Sequence, residues 1–125
     1  MKILFIDDDQ ELLAAFTELF EEQHIQVVTT IDGTTGIEKA KSDIFDLILI
    51  DQILPDMRGN DIIKVLKNED KTRNIPLVMF SNFDEAKLIH EAMQLGAVDY
   101  ILKYQIEPPD LIEKIKKIIV AKETN

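Results

Sequence analysis

Two stretches decide how this chain folds: Lys2–Asp9, which reads KILFIDDD, and Leu47–Asp51, which reads LILID. Each is a short, nearly unbroken run of aliphatic and β-branched residues that stops abruptly at aspartate. Unbroken apolar runs of this length suit strands buried on both faces of a parallel sheet, whereas a half-exposed strand alternates. In open parallel sheets ligands bind beyond the carboxyl ends of the strands, where the strand order reverses. Acids placed just past two such strands fall in that crevice, and carboxylates gathered there make a cation site.

The rest of the chain repeats the pattern. Glu11–Gln23 carries Leu12, Phe16, Leu19 and Phe20 at helical spacing, with Asp8 or Asp9 available as its cap. Ile25–Thr29 reads as a second strand and Gly33–Lys41 as a short helix burying Ile37 and Ala40. Beyond Asp51, the loop ILPDMRGN holds Pro55 and Gly59, which break regular structure before a helix with Ile62, Ile63 and Leu66 inward. Lys64, Lys67 and Glu69 read as its solvated face. Pro76–Phe80 is the fourth strand, Asp84–Leu95 the fourth helix stopped by Gly96, and Val98–Leu102 the fifth strand. Pro108 and Pro109 then precede a helix over Asp110–Lys122, with Leu111, Ile115, Ile118 and Ile119 toward the core.

Five strand–helix repeats specify an α/β fold, a (βα)5 doubly wound parallel sheet of flavodoxin-like topology, because crossovers between parallel strands are right-handed. The expected strand order is 2-1-3-4-5. That order sets the ends of strands one and three side by side and gathers Asp7, Asp8 and Asp51. With 125 residues and no composition shift, repeat or linker, a single domain over 1–125 is expected.

Composition narrows the partners. Lysine and arginine number 14 against 24 aspartates and glutamates, a formal charge of −10, which opposes direct contact with nucleic acid or anionic lipid. Proteins or cations are the expected partners. The absence of cysteine excludes disulfides and thiolate metal sites and is compatible with a cytoplasmic location. The apolar stretch in MKILFIDDD is too short for a signal peptide, and no run approaches a membrane span.

Two more polar residues sit at strand ends, Ser81 after strand four and Lys103 after strand five. A carboxylate-held metal, a separate aspartate, a hydroxyl and an ammonium on one rim make a phosphoryl-transfer site, since that chemistry needs charge neutralisation and positioning above all. Asp51 is the expected nucleophile. Asp8, Asp51 and the backbone carbonyl of Ile53 are expected to bind Mg²⁺ directly, with Asp7 orienting metal-bound water. His24 and His90 have no neighbouring ligand set and read as exposed. Lys114, Lys116 and Lys117 suit the polar face of the last helix.

With these residues in place, the sequence resembles the receiver domains of two-component response regulators. The resemblance runs along essentially the whole chain: I-D-D-D after strand one, I-D-Q-I-L-P-D-M-R-G around Asp51, M-F-S-N at strand four and G-A-V-D-Y-I-L-K at strand five. It implies that Asp51 is a phosphoacceptor, with a sensor histidine kinase or a histidine phosphotransfer protein as donor. It further implies a switch pair, Ser81 and Tyr100, that alters the face formed by helix four, strand five and helix five, through which a downstream protein is engaged by a monomer or a phosphorylation-dependent dimer.

Two positions depart from the family's habit. Tyr104 follows Lys103 where a proline after a cis bond is common, and a cis bond before tyrosine costs roughly 2.5–4 kcal/mol, so a trans bond and an altered loop are expected. Asn82 follows Ser81 where a small residue is usual. Three rival readings remain at this point. A magnesium-dependent phosphatase of the haloacid dehalogenase kind also uses an aspartate nucleophile but wants a second acid where Ile53 stands. A flavin-binding protein of this topology needs a phosphate loop where three aspartates repel phosphate. A receiver-like interaction module that is never phosphorylated is the last.

Overall fold

Ten regular elements alternate along the chain in a computed structural model that describes residues 1–124. They are β1 (Lys2–Ile6), α1 (Gln10–Glu22), β2 (Gln26–Thr30), α2 (Gly33–Ser42), β3 (Leu47–Ile50), α3 (Gly59–Lys67), β4 (Leu77–Ser81), α4 (Ala86–Leu95), β5 (Asp99–Leu102) and α5 (Pro108–Glu123), with a 3-10 turn at Lys103–Gln105. All strand pairs are parallel and the order is β2-β1-β3-β4-β5, the flavodoxin-like arrangement expected from the sequence.

Alternation along the strands sorts the core into two layers. Ile3, Phe5, Leu47, Leu49, Val78 and Phe80 face α1 and α5. Leu4, Ile6, Ile48, Ile50, Leu77 and Met79 face α2, α3 and α4. Every residue of β3 is fully buried, which is why its sequence shows no polar alternation. On the first side Phe5, Phe16 and Phe80 meet edge to face with ring centroids 5.5–6.2 Å apart, a geometry that adds about 0.5–1.5 kcal/mol per pair beyond buried area.

Differences from the sequence reading are local. The inward residues of α1 are Leu13 and Phe20, with Leu12, Phe16 and Leu19 only partly covered. The expected stripe does pack on the sheet, and it is widened by Leu13, which the sequence reading left out. Helix α4 starts at Ala86 instead of Asp84, because hydrogen bonds hold the preceding residues as a loop. Helix α5 starts at Pro108, a position that needs no backbone N–H. Lys67 is not simply solvated: its ammonium donates to the carbonyl of Arg73 at 3.0 Å, and burial together with the charge of Lys122 lowers its pKa. Its stem covers Gly96, whose φ of 115° is the left-handed conformation that closes α4.

Gly59 opens α3 against the end of β3. A Cβ there would lie 2.5 Å from the carbonyl oxygen of Asp51 and 2.5 Å from Cε of Met79. Backbone cannot yield as a side-chain tip does, so Gly59→Ala is expected to destabilise the protein by about 1–3 kcal/mol. A urea unfolding curve checks this, with the midpoint lowered and the slope unchanged.

Candidate functional site

The site is assembled by strand register. Ile6 of β1 lies opposite Ile50 of β3, so the next residues, Asp7 and Asp51, leave the sheet side by side. Backbone bonds fix both: the Asp51 N–H donates to the carbonyl of Ile6 at 2.9 Å, and the Asp7 N–H donates to that of Thr30 at 3.0 Å. Ser81 pairs with Leu102 across β4 and β5, which places Lys103 one residue further on the same rim.

The three aspartates after β1 divide the work. Asp9 caps α1, its Oδ1 accepting from the Leu12 N–H at 3.1 Å. Asp7 turns inward and is wholly buried, while Asp8 stays exposed. Asp7, Asp8 and Asp51 each bring a carboxylate oxygen into one group whose members lie within 4.8 Å of one another. Lys103 answers them from the other side, with Nζ 2.7 Å from Oδ2 of Asp7 and 3.5 Å from Oδ2 of Asp51. Its ammonium also stands 5.8 Å from the centre of the Phe80 ring, a cation–π contact that holds it over the core. No peptide bond among the described residues is cis, so the Lys103–Tyr104 bond is trans and Lys103 still reaches the acids.

The loop after β3 is shaped around Asp51. Oδ1 of Asp51 accepts from the Gln52 N–H at 2.8 Å. Ile53 and Arg58 form a small antiparallel bridge in which the carbonyls of Gln52 and Met57 accept from Gly59 and Leu54. Among the described residues no hydrogen bond ends on the carbonyl of Ile53. Asp56 anchors the far side of the loop to the start of α2. It accepts from the Thr34 hydroxyl at 2.6 Å and from the Gly33 and Thr34 N–H groups, which together pull its pKa down to about 2.

Ser81 is buried at the end of β4, and its Oγ accepts from the Phe83 N–H at 3.2 Å. Tyr100 is half-buried with its hydroxyl donating to the carbonyl of Phe83 at 2.7 Å. The hydroxyl of Tyr104 donates to Asp84 at 2.7 Å, so two tyrosines hold the loop that carries Asn82 and Phe83. The apolar side chains of Ile53, after β3, and Phe83, after β4, are 48% and 39% exposed. His24 and His90 are exposed. On α5, Lys114 and Lys117 pair with Asp99 and Glu113, and Lys116 donates to Gln23.

Four side chains in this region were not singled out by the sequence: Gln52, Asn60, Asp56 and Asp84. Gln52 and Asn60 are fully buried and bonded to each other. Their signal in the sequence is faint, two amides eight residues apart on either side of a turn.

The family of the chain follows from comparison. Residues 3–116 match the response regulator receiver domain, and the chain belongs to that family. A CheY-like receiver domain protein from Methanospirillum hungatei is 27% identical, with a TM-score of 0.92 over 98% of this chain and 96% of that one. A two-component response regulator from Clostridium difficile is 28% identical, with a TM-score of 0.88 over 95% of each chain. The response regulator ArlR of Staphylococcus saprophyticus is 33% identical over 94% of this chain, and the phosphate regulon regulatory protein PhoB of Escherichia coli 31% over 94%. The chain spans about half the length of these two relatives, 52% and 51%. The phosphatase alternative finds no support, and the position it needs as an acid is the exposed Ile53. No helix among the described residues is long and apolar enough to cross a membrane.

Burial raises the pKa of Asp7 above the ordinary 3.8, against the opposing pull of the Lys103 ammonium and the Asp9 N–H. A carboxyl raised in this way holds its proton more tightly in the folded chain than in the unfolded one. Stability therefore falls as pH rises from the unfolded value through the raised one, and the cost is fully present above it. In chelator, Asp7→Asn is expected to lose less stability than the parent as pH rises above the ordinary carboxylate value of 3.8. Urea unfolding at several pH values measures the two slopes; equal slopes would contradict the assignment of this cost to Asp7.

Proposed function

We propose that Asp51 accepts a phosphoryl group in a Mg²⁺-dependent reaction and that this receiver thereby signals to a protein partner. The observation that supports it best is the gathering of carboxylate oxygens of Asp7, Asp8 and Asp51 within 4.8 Å of one another, with the Lys103 ammonium 3.5 Å from Asp51. The donor set suits Mg²⁺, which favours a few oxygen ligands and keeps several waters. Asp8, Asp51 and the backbone carbonyl of Ile53 would hold it, and Asp7 would orient a bound water. When bound, the cation supplies positive charge that offsets the phosphoryl oxygens and relieves the crowding of the acids.

The donor in this reading is a phosphohistidine on a sensor histidine kinase or a histidine phosphotransfer protein. A carboxylate oxygen of Asp51 attacks phosphorus in line as the P–N bond breaks, and the departing imidazole takes up a proton. Lys103 balances charge on the transferred group, and the Ser81 hydroxyl donates to one of its oxygens. Catalysis in this reading is the receiver's own and requires Mg²⁺ and a high-energy phosphodonor. Ser81 and Tyr100 form the switch that reports the event on the α4–β5–α5 face, where a downstream protein or a second receiver docks. With a formal charge of −10, direct binding to nucleic acid or membrane is not part of this reading, and the reaction is assigned to the cytoplasm.

Incubation with acetyl phosphate and Mg²⁺, followed by intact-mass measurement, tests the acceptor. One phosphoryl group is expected on the parent, none on Asp51→Asn, and none on the parent in chelator. Labelling of Asp51→Asn equal to the parent would sink the assignment and favour a different acceptor; no labelling of the parent would favour a module that is never phosphorylated.

The lifetime of the acyl phosphate depends on how water reaches it. Ile53, after β3, and Phe83, after β4, have no side-chain group to orient a water by hydrogen bonding. Slow hydrolysis is expected, and an Ile53→Asn, Phe83→Glu double variant is expected to release phosphate roughly tenfold faster by positioning the attacking water. Phosphate release from purified phosphoprotein is the measurement.

A further inference from the structure

Next to the acidic site lies a buried polar network in which every side-chain amide atom is hydrogen-bonded. Gln52 and Asn60 are both fully buried. Gln52 Oε1 accepts from the Asn60 N–H at 3.0 Å, and Gln52 Nε2 donates to Asn60 Oδ1 at 2.9 Å and to the Tyr100 hydroxyl at 3.4 Å. Asn60 Nδ2 spends its two protons on α4, at the carbonyl of Leu88 (3.2 Å) and at Oε1 of Glu91 (2.7 Å). Every proton and acceptor of the two amides therefore has a partner. The backbone of Gln52 takes part as well, its carbonyl accepting from Gly59 at the first turn of α3 and its N–H donating to Oδ1 of Asp51. One residue thus touches the Asp51 carboxylate, the start of α3 and β5, and through Asn60 reaches α4.

A fully satisfied buried network has a single low-energy arrangement, because any displacement leaves an amide unpaired in a medium that does not compensate it. Formation of the acyl phosphate on Asp51 removes the charge from its carboxylate and makes the remaining carbonyl oxygen a poorer acceptor for the Gln52 N–H. The strain falls on the network and emerges where Asn60 grips α4. We propose that Gln52 and Asn60 are positioning residues that transmit the state of Asp51 to helix α4, by a route separate from the Ser81 hydroxyl. This inference rests on Asp51 being the acceptor.

Hydrogen exchange of the α4 amides, compared between unlabelled and acetyl-phosphate-labelled full chain at known labelled fraction, tests it. In the parent, labelling is expected to speed α4 exchange by about threefold or more. In a Gln52→Met, Asn60→Leu double variant, of similar volume and without the amides, that label-dependent difference is expected to vanish. A merely structural role would shift exchange in both forms alike and leave the difference intact. Glu91→Ala removes only the half-exposed outer anchor, and it is expected to reduce the difference by at least about twofold if the double variant does not fold. A parent-sized difference in either variant, or none in labelled parent, overturns the coupling. An unlabelled parent instead overturns the acceptor reading, and intact mass alone reveals it.

Discussion

The parallel pairing of β1 with β3 is the constraint on which the rest of the molecule depends. It joins strands that are not consecutive in the chain, and at that junction the sheet's connections run off in opposite directions. The crevice this leaves is where Asp7 and Asp51 emerge, one residue beyond the last paired isoleucines. A slip of one residue in this register would exchange the two core faces and point both carboxylates elsewhere. Full burial of every residue in β3 and of Ile3–Ile6 in β1 makes such a slip prohibitively costly, so the apolar core fixes the geometry of a polar site.

That geometry is electrostatically tense by construction. Asp7 is buried next to Asp51, and its raised pKa records that desolvation outweighs the help it receives from Lys103 and the Asp9 N–H. Lys103 contacts both acids but satisfies the nearer, at 2.7 Å, better than the farther, at 3.5 Å. The lysine thus leaves repulsion among the gathered carboxylates that a bound cation would relieve. The fold supplies the opposing charges from three different strand ends, those of β1, β3 and β5, so their spacing is set by the sheet.

Around this rigid centre the surrounding loops are tied by side chains. Asp56 fastens the loop after β3 to the start of α2, Tyr104 and Tyr100 fasten the loop after β4, and Gln52 with Asn60 fastens α3 to α4. Exposed bonds of this sort, such as that between Tyr104 and Asp84, contribute modestly to stability. The buried amide pair is different in kind, because breaking it strands polar groups away from water. Tyr104 also shows how the chain continues after Lys103 without a proline: the trans bond leads into a single 3-10 turn, and the lysine keeps its reach.

Much of this was legible in the residues alone. The runs KILFI and LILI, each ended by aspartate, fixed strands, fold class and the place of the site, because burial on both faces and a strand-end crevice leave local marks. Asp7, Asp8, Asp51, Ser81 and Lys103 were readable for the same reason, each lying just past an apolar run. Which acid caps α1, how far its buried face extends and where α4 begins were decided by tertiary contacts: the hydrogen bond from Leu12 to Asp9, the sheet surface that also covers Leu13, and the tyrosine bonds that hold residues 82–85 as a loop. The Gln52–Asn60 pair was invisible for a stronger reason. An amide in a sequence carries no sign of whether water or another amide will satisfy it, and only the packing of α3 and α4 over the end of β3 removed the water.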